Sequence, residues 1–199
     1  MKKVIPIFGT LLLGLVIGGG YAIYSLKSDA VNLPIKNGCW IVNPKMDLSN
    51  RHQRARVAVA GLFALRESEV LYFVASQDNE GRPLSSTHEY VLEGPSPDAR
   101  YWSYTLYDGD FFLIDNPDNI YGYNMDNIQY IDEPVEVELP SNTSGNHQIT
   151  LSKKPSDNNW LPTGNANQLY ITLRMYNPSP EVYNNLEDVV LPTIRRIDE

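Results

Sequence analysis

Hydrophobic and polar positions along this 199-residue chain fall into three rhythms. From Val4 to Leu26 the run is apolar and carries no charge. Its 23 residues, at about 1.5 Å each, make roughly 34 Å of helix against a hydrocarbon core of roughly 30 Å. From Ser49 to Leu65, "SNRHQRARVAVAGLFAL", apolar residues recur near Ala55, Val59, Leu62 and Leu65. That spacing predicts an amphipathic helix with Ser49 as its N-cap. Beyond it the period becomes two. "VLYFVAS" (70–76) is apolar at nearly every position and predicts a strand buried on both faces. Further strands are predicted at "THEYVLEG", "RYWSYTLYD", "PVEVEL", "HQITLSK" and "LYITLRMYN", separated by Pro, Gly and Asn clusters such as "DNEGRP". One short helix is expected after Pro178.

This pattern predicts a mainly β protein: an antiparallel β-sandwich with one flanking N-terminal α-helix, preceded by a single transmembrane helix. The expected organisation is an anchor at 1–26, a linker and lead-in at 27–48, where Pro34, Gly38, Asn43 and Pro44 cluster, and the β-sandwich domain at 49–199.

Two strands carry the candidate chemistry. In Tyr101–Tyr107, alternation places Trp102, Tyr104 and Leu106 on one face and Tyr101, Ser103, Thr105 and Tyr107 on the other. In Leu169–Tyr176, Leu169, Ile171, Leu173 and Met175 oppose Tyr170, Thr172, Arg174 and Tyr176. If the two strands are neighbours, their second faces make one surface of rings, hydroxyls and an arginine fork. Such a surface suits a polar ligand such as a glycan, whose ring faces stack on aromatics and whose oxygens take hydrogen bonds. Tyr and Thr also favour strands for their own sake, so a plain wet sheet face is the competing reading.

The stretch "DGDFFLIDNPDN" between these strands is rich in carboxylates. Asp108 and Asp115 could form the acid/base pair of a glycoside hydrolase. Turn chemistry explains the same residues, because Asp, Asn and Gly bond to their own backbone and Pro117 fixes a bend. The spacing does not match an EF-hand, and the histidines His52, His88 and His147 are scattered. No metal site and no cofactor is expected. "GPSPD" around Ser96 lacks the second glycine of a nucleophile elbow.

Charge narrows the partners. The net charge of −8 repels nucleic acid, which is excluded as a partner. Cys39 is the single cysteine, so no disulfide can form within the chain, and a small buried side chain is its expected role. Lys2 and Lys3 precede the apolar run and favour a cytoplasmic N-terminus, with the rest of the chain across the inner membrane in the periplasm. A cleaved signal peptide is the alternative, although its apolar region is usually only about 7–15 residues. Both readings export the domain.

The blocks "YWSYTLYD", "NPDNIYGYN", "NNWLPTGN" and "LYITLRMYNPSP", in this order, resemble the bacterial family called domain of unknown function 1214, over about residues 49 to 197. The upstream "RARVAVAGLFAL" and "SEVLYF" look like its short membrane-anchored members. Such members resemble the second half of larger two-domain relatives. The resemblance implies a jelly-roll-like β-sandwich at the cell envelope and supplies no reaction. By motif it carries over Trp102, Thr105, Tyr107, Asp108, Asn116, Pro117, Tyr121, Trp160, Leu161, Pro162, Arg174 and Tyr176. Ile120 departs from the pattern, because the family often has a basic residue there.

The resulting expectation is a non-catalytic, periplasm-facing ligand-binding or interaction module anchored through residues 4–26. Its ligand contacts would be Tyr107, Asp108, Asn116, Tyr121, Trp160, Arg174 and Tyr176. The alternatives are a hydrolase of envelope saccharides using Asp108 and Asp115, and a structural subunit whose tyrosine face docks a protein partner.

Overall fold

A computed structural model describes residues 4–27, 34–42, 65–66, 68–131 and 145–197. The chain divides into two compact units, Met1–Asn32 with Lys45–Leu65, and Leu33–Pro44 with Arg66–Glu199. In the first unit, α1 runs Val4–Lys27. Its described side chains, those of residues 9–24, are exposed. Among the described residues no helix is long and apolar enough to cross a membrane, so the expected transmembrane helix gains no support from them. The expected helix at 49–65 and strand at "PVEVEL" lie outside the described residues apart from Leu65.

The second unit is built of strands. In chain order they are β1 (Ile35–Asn37), β2 (Trp40–Val42), β3 (Val70–Ala75), β4 (Glu89–Pro95), β5 (Ala99–Asp108), β6 (Gly122–Asn124), β7 (Tyr130–Ile131), β8 (Asn146–Ser152), β9 (Trp160–Pro162), β10 (Leu169–Pro178) and β11 (Thr193–Ile197). A short helix, α2 (Pro180–Asn184), follows β10, with Pro180 at the start, where its missing N–H costs nothing. One sheet has the order β1-β2-β3-β10-β5-β6; the other has β11-β4-β8-β7, with β9 added alongside β8.

The inner faces of both sheets share one core. Leu71 and Phe73 of β3, Trp102, Tyr104 and Leu106 of β5, and Leu169, Ile171, Leu173 and Met175 of β10 meet Tyr90 and Leu92 of β4, Ile149 and Leu151 of β8 and Ile194 of β11. Each large aliphatic or aromatic side chain buried this way contributes about 1.5–3 kcal/mol relative to exposure. The alternation seen in the sequence of β5 and β10 is what makes this possible, since every second residue reaches the core.

Three expectations need correction. Residues 35–42 are not linker: β1 and β2 pair with each other, and β2 pairs with β3, extending the larger sheet. Trp40 is the cause, because its indole is buried in the core and donates to the carbonyl of Pro192. Cys39 beside it is buried, and burial pushes its thiol up to about 11. The strand "VLYFVAS" is not buried on both faces, because Tyr72 and Val74 are half-buried on the outer side. Nor is every pair antiparallel: β8 and β9 run parallel.

Turns follow their sequence chemistry. Asp78 opens the turn after β3, its carboxylate accepting from the amides of Glu80 and Arg82 and from Arg82 Nε at 2.7 Å. Gly122 starts β6 where only glycine fits, since a Cβ there would lie 2.3 Å from the Tyr104 carbonyl oxygen.

Candidate functional site

The outer face of the larger sheet is centred on β10, which lies between β3 and β5. The register pairs Arg174 with Tyr72 on one side and Ser103 on the other, Thr172 with Val74 and Thr105, Tyr170 with Tyr107, and Tyr176 with Tyr101. The two strands singled out by their tyrosines are therefore immediate neighbours. Their second faces form one surface, and β3 adds Tyr72 and Val74 to it.

Arg174 is half-buried at the centre. Its Nη1 donates to Thr105 Oγ1 at 2.8 Å and its Nη2 to the hydroxyl of Tyr107. Both acceptors lie toward the Leu169 end of β10, so the side chain leans back along the strand. Thr172, beneath that path, is buried. The guanidinium carbon is 5.9 Å from the Tyr72 ring centre and 5.6 Å from that of Tyr107, which places two aromatic quadrupoles beside the cation. Burial raises the Tyr72 hydroxyl above its ordinary range; the Tyr176 hydroxyl adds to this, Arg174 opposes it, and Tyr107 adds again. Among the described residues no carboxylate comes within ion-pairing distance of Arg174.

Rings continue the surface at both ends. Tyr101 and Tyr176 are 5.9 Å apart, centre to centre. At the other end Phe111 stacks on Tyr170 at 4.4 Å and lies 6.2 Å from Tyr107. Phe111 reaches this position with φ +62°, a left-handed conformation uncommon for a bulky residue. The turn around it is held by Asp108, whose Oδ1 accepts the amides of Asp110 and Phe112, both at 2.9 Å.

The other expected site residues fall elsewhere. Asn116 is absorbed by its own loop: its amide donates to the carbonyls of Ile114 and Ile120 and accepts from the amide of Ile120. Tyr121 is half-buried, its hydroxyl 3.4 Å from Asn119 Oδ1. Trp160 lies in the smaller sheet, on β9, with its indole buried and donating to the carbonyl of Ser152. Asp115 is exposed on the loop. The structure thus brings together Tyr107, Arg174 and Tyr176, with Asp108 shaping the turn beside them, and separates Trp160 from the group. Tyr72 and Phe111 belong to the surface and were not anticipated. The aromatic content of "VLYFVAS" was the available signal for Tyr72. Ser96, at the failed nucleophile motif, is buried and donates to the carbonyl of Gly145.

A family model described as a protein of unknown function, DUF1214, matches residues 69–180. The chain belongs to this family. The matched span of the DUF1214 domain runs from the start of β3 to the end of β10 and includes every strand of the Arg174 surface. Among solved structures, the VPA0106 protein of Vibrio parahaemolyticus shares the fold, at TM-score 0.58 and 21% identity, over 75% of this chain and 36% of that one. A crystal structure of an uncharacterised protein from Burkholderia cenocepacia is more distant, at TM-score 0.49 and 14% identity, over 79% of this chain and 34% of that one. The chain thus spans about a third of the length of these structural relatives. No curated protein matches it.

Proposed function

We propose that this DUF1214 protein is a non-catalytic module that binds a polar, glycan-like ligand on the outer face of its larger sheet. The observation that carries the reading is Arg174: a half-buried guanidinium held by Thr105 and Tyr107, flanked by the Tyr72 and Tyr107 rings, and unpaired with any described carboxylate in an acidic chain. A fork held in this way has lost part of its rotamer freedom before a ligand arrives, which lowers the cost of binding. The rings at either end supply flat apolar area for sugar faces, and the strand between Tyr170 and Tyr176 extends this over about 20 Å.

The hydrolase alternative draws no comparable support, since Asp108 is committed to two backbone amides of its turn. Anchoring through residues 4–26, with the domain on the periplasmic side of the inner membrane, belongs to the same proposal. It is supported by the apolar run from Val4 to Leu26 and by Lys2 and Lys3 before it.

A thermal-shift panel of neutral sugars, sugar acids and divalent ions on the detergent-solubilised full chain tests the binding reading, because a ligand specific for the folded state raises Tm by mass action. A saturable rise with sugars supports it; a flat response across the panel overturns it. Fractionation tests the anchor. Recovery with the membrane pellet is expected, and a soluble mature form beginning near Ile23 or Val31 would make residues 4–26 a signal peptide instead.

A further inference from the structure

Resting on that proposal, we infer that the preferred ligand is an acidic saccharide, in which a ring-borne carboxylate docks on Arg174 and neighbouring rings stack along the tyrosines. The argument starts from donors. A guanidinium carries five N–H groups in a rigid fork. Two are committed, one to Thr105 and one to Tyr107, and none of the others donates to a described residue. Both commitments are to neutral hydroxyl oxygens, which leave the positive charge in place.

Two arginines of the same unit are held differently. The chain has 24 acidic residues, and these two take carboxylate partners: Arg82 pairs with Asp78 and Glu80, and Arg195 with Glu93. Arg174 is more enclosed than Arg195, yet it has rings and hydroxyls where they have acids. The carboxylate nearest along β5, Asp108, is turned onto the amides of Asp110 and Phe112. A half-desolvated guanidinium attracts an incoming anion more strongly than a fully solvated one, and it meets a carboxylate through two parallel hydrogen bonds. A neutral sugar would leave that charge uncompensated while displacing its water.

Rings on both sides restrict the shape of the guest. Tyr72 and Tyr107 flank the guanidinium, and the pairs Tyr101–Tyr176 and Tyr170–Phe111 lie beyond. A flat-faced ring bearing one carboxylate, with further rings attached, fits this order. A small free anion would use the fork and leave the tyrosines unoccupied.

The test compares trigalacturonate, maltotriose and glucose 6-phosphate by calorimetry on the full chain in detergent. Trigalacturonate is expected to bind at least about tenfold more tightly than maltotriose, as a charge-assisted pair adds roughly that factor. Arg174→Gln should abolish this preference, bringing trigalacturonate down to the affinity of maltotriose. Arg174→Lys, which keeps the charge and loses the fork, should retain a reduced preference. Equal or tighter binding of maltotriose by the native chain overturns the acidic-ligand inference and leaves the binding face standing. Tighter binding of glucose 6-phosphate than of trigalacturonate also overturns it, in favour of a phosphate site. Absence of binding by all three overturns this inference, and a flat response of the wider sugar panel separately removes the binding face itself.

Discussion

The Tyr104 hydroxyl lies 3.1 Å from His147 Nε2 in the sealed core, joining β5 of one sheet to β8 of the other. The imidazole also stacks on Trp102 at 5.2 Å. In either tautomer its Nδ1 has no hydrogen-bond partner among the described residues. Burial alone lowers the His147 pKa from its ordinary 6.5 to about 4. Above 6.5 the imidazole is neutral in folded and unfolded chains alike. Below it the unfolded chain takes up a proton that the folded chain refuses, so stability falls as pH drops from 6.5 toward 4. The full loss is on the order of 3 kcal/mol. Urea unfolding at stepped pH is expected to show this slope, and His147→Gln to flatten it. An equal slope in the variant would place the acid sensitivity among the carboxylates instead.

Gly122 carries a second prediction. A methyl group at this position meets the Tyr104 carbonyl oxygen at 2.3 Å, a distance that forces β6 away from β5. Gly122→Ala should cost about 1–3 kcal/mol, the usual range for overpacking. Hydrogen exchange should show the loss first in Gly122–Asn124. Unchanged protection of that strand would contradict the account.

Phe111 separates backbone strain from ring contact. Phe111→Ala and Phe111→Gly both remove the stacking on Tyr170, but only glycine adopts φ +62° without penalty. The glycine variant should therefore be more stable than the alanine variant by roughly 1 kcal/mol, read from Tm. The reverse order would mean that the turn relaxes out of the left-handed region.

For Asn116 the expected effect lies in the fold. Its amide spans the loop from Ile114 to Ile120, donating to two carbonyls and accepting one amide. Asn116→Asp keeps the acceptor and turns a carboxylate toward those carbonyls, so it should destabilise by about 1–3 kcal/mol, as should Asn116→Ala. Any saccharide binding should survive in both, and lost binding at full stability would return Asn116 to the ligand site.

How much of this was legible beforehand varies by element. The faces of β5 and β10 followed from alternation alone, because each strand buries one side and the apolar set marks it. Their adjacency did not follow, since Tyr101 and Tyr176 are joined by register and not by nearness in sequence. Tyr72 was missed because Leu71, Tyr72, Phe73 and Val74 are all apolar or aromatic, leaving no polar set to mark the outer side. On that outer side Tyr72 and Val74 are half-buried, with the Arg174 guanidinium over the Tyr72 ring. Residues 35–42 read as linker because Pro34 and Gly38 are strong turn signals and strands of three residues are too short to show a period, while the burial of Trp40 depends on Pro192 far along the chain. His147 carried no signal, because its meaning depends on Tyr104 across the core. The family resemblance is borne out over residues 69–180, but Trp160 and Asn116, which it carried over as site positions, serve packing and loop closure.

The central claim is that Arg174 is a binding group and not a structural ion. The most direct measurement is the melting temperature of Arg174→Ala with and without the saccharide that most stabilises the native chain. Truncation removes two hydrogen bonds to neutral hydroxyls, worth about 1 kcal/mol each, so Tm should fall by a few degrees while the cooperative transition persists. The ligand-induced rise should disappear. A variant that no longer melts cooperatively, or one that keeps the native ligand-induced rise, would contradict the account.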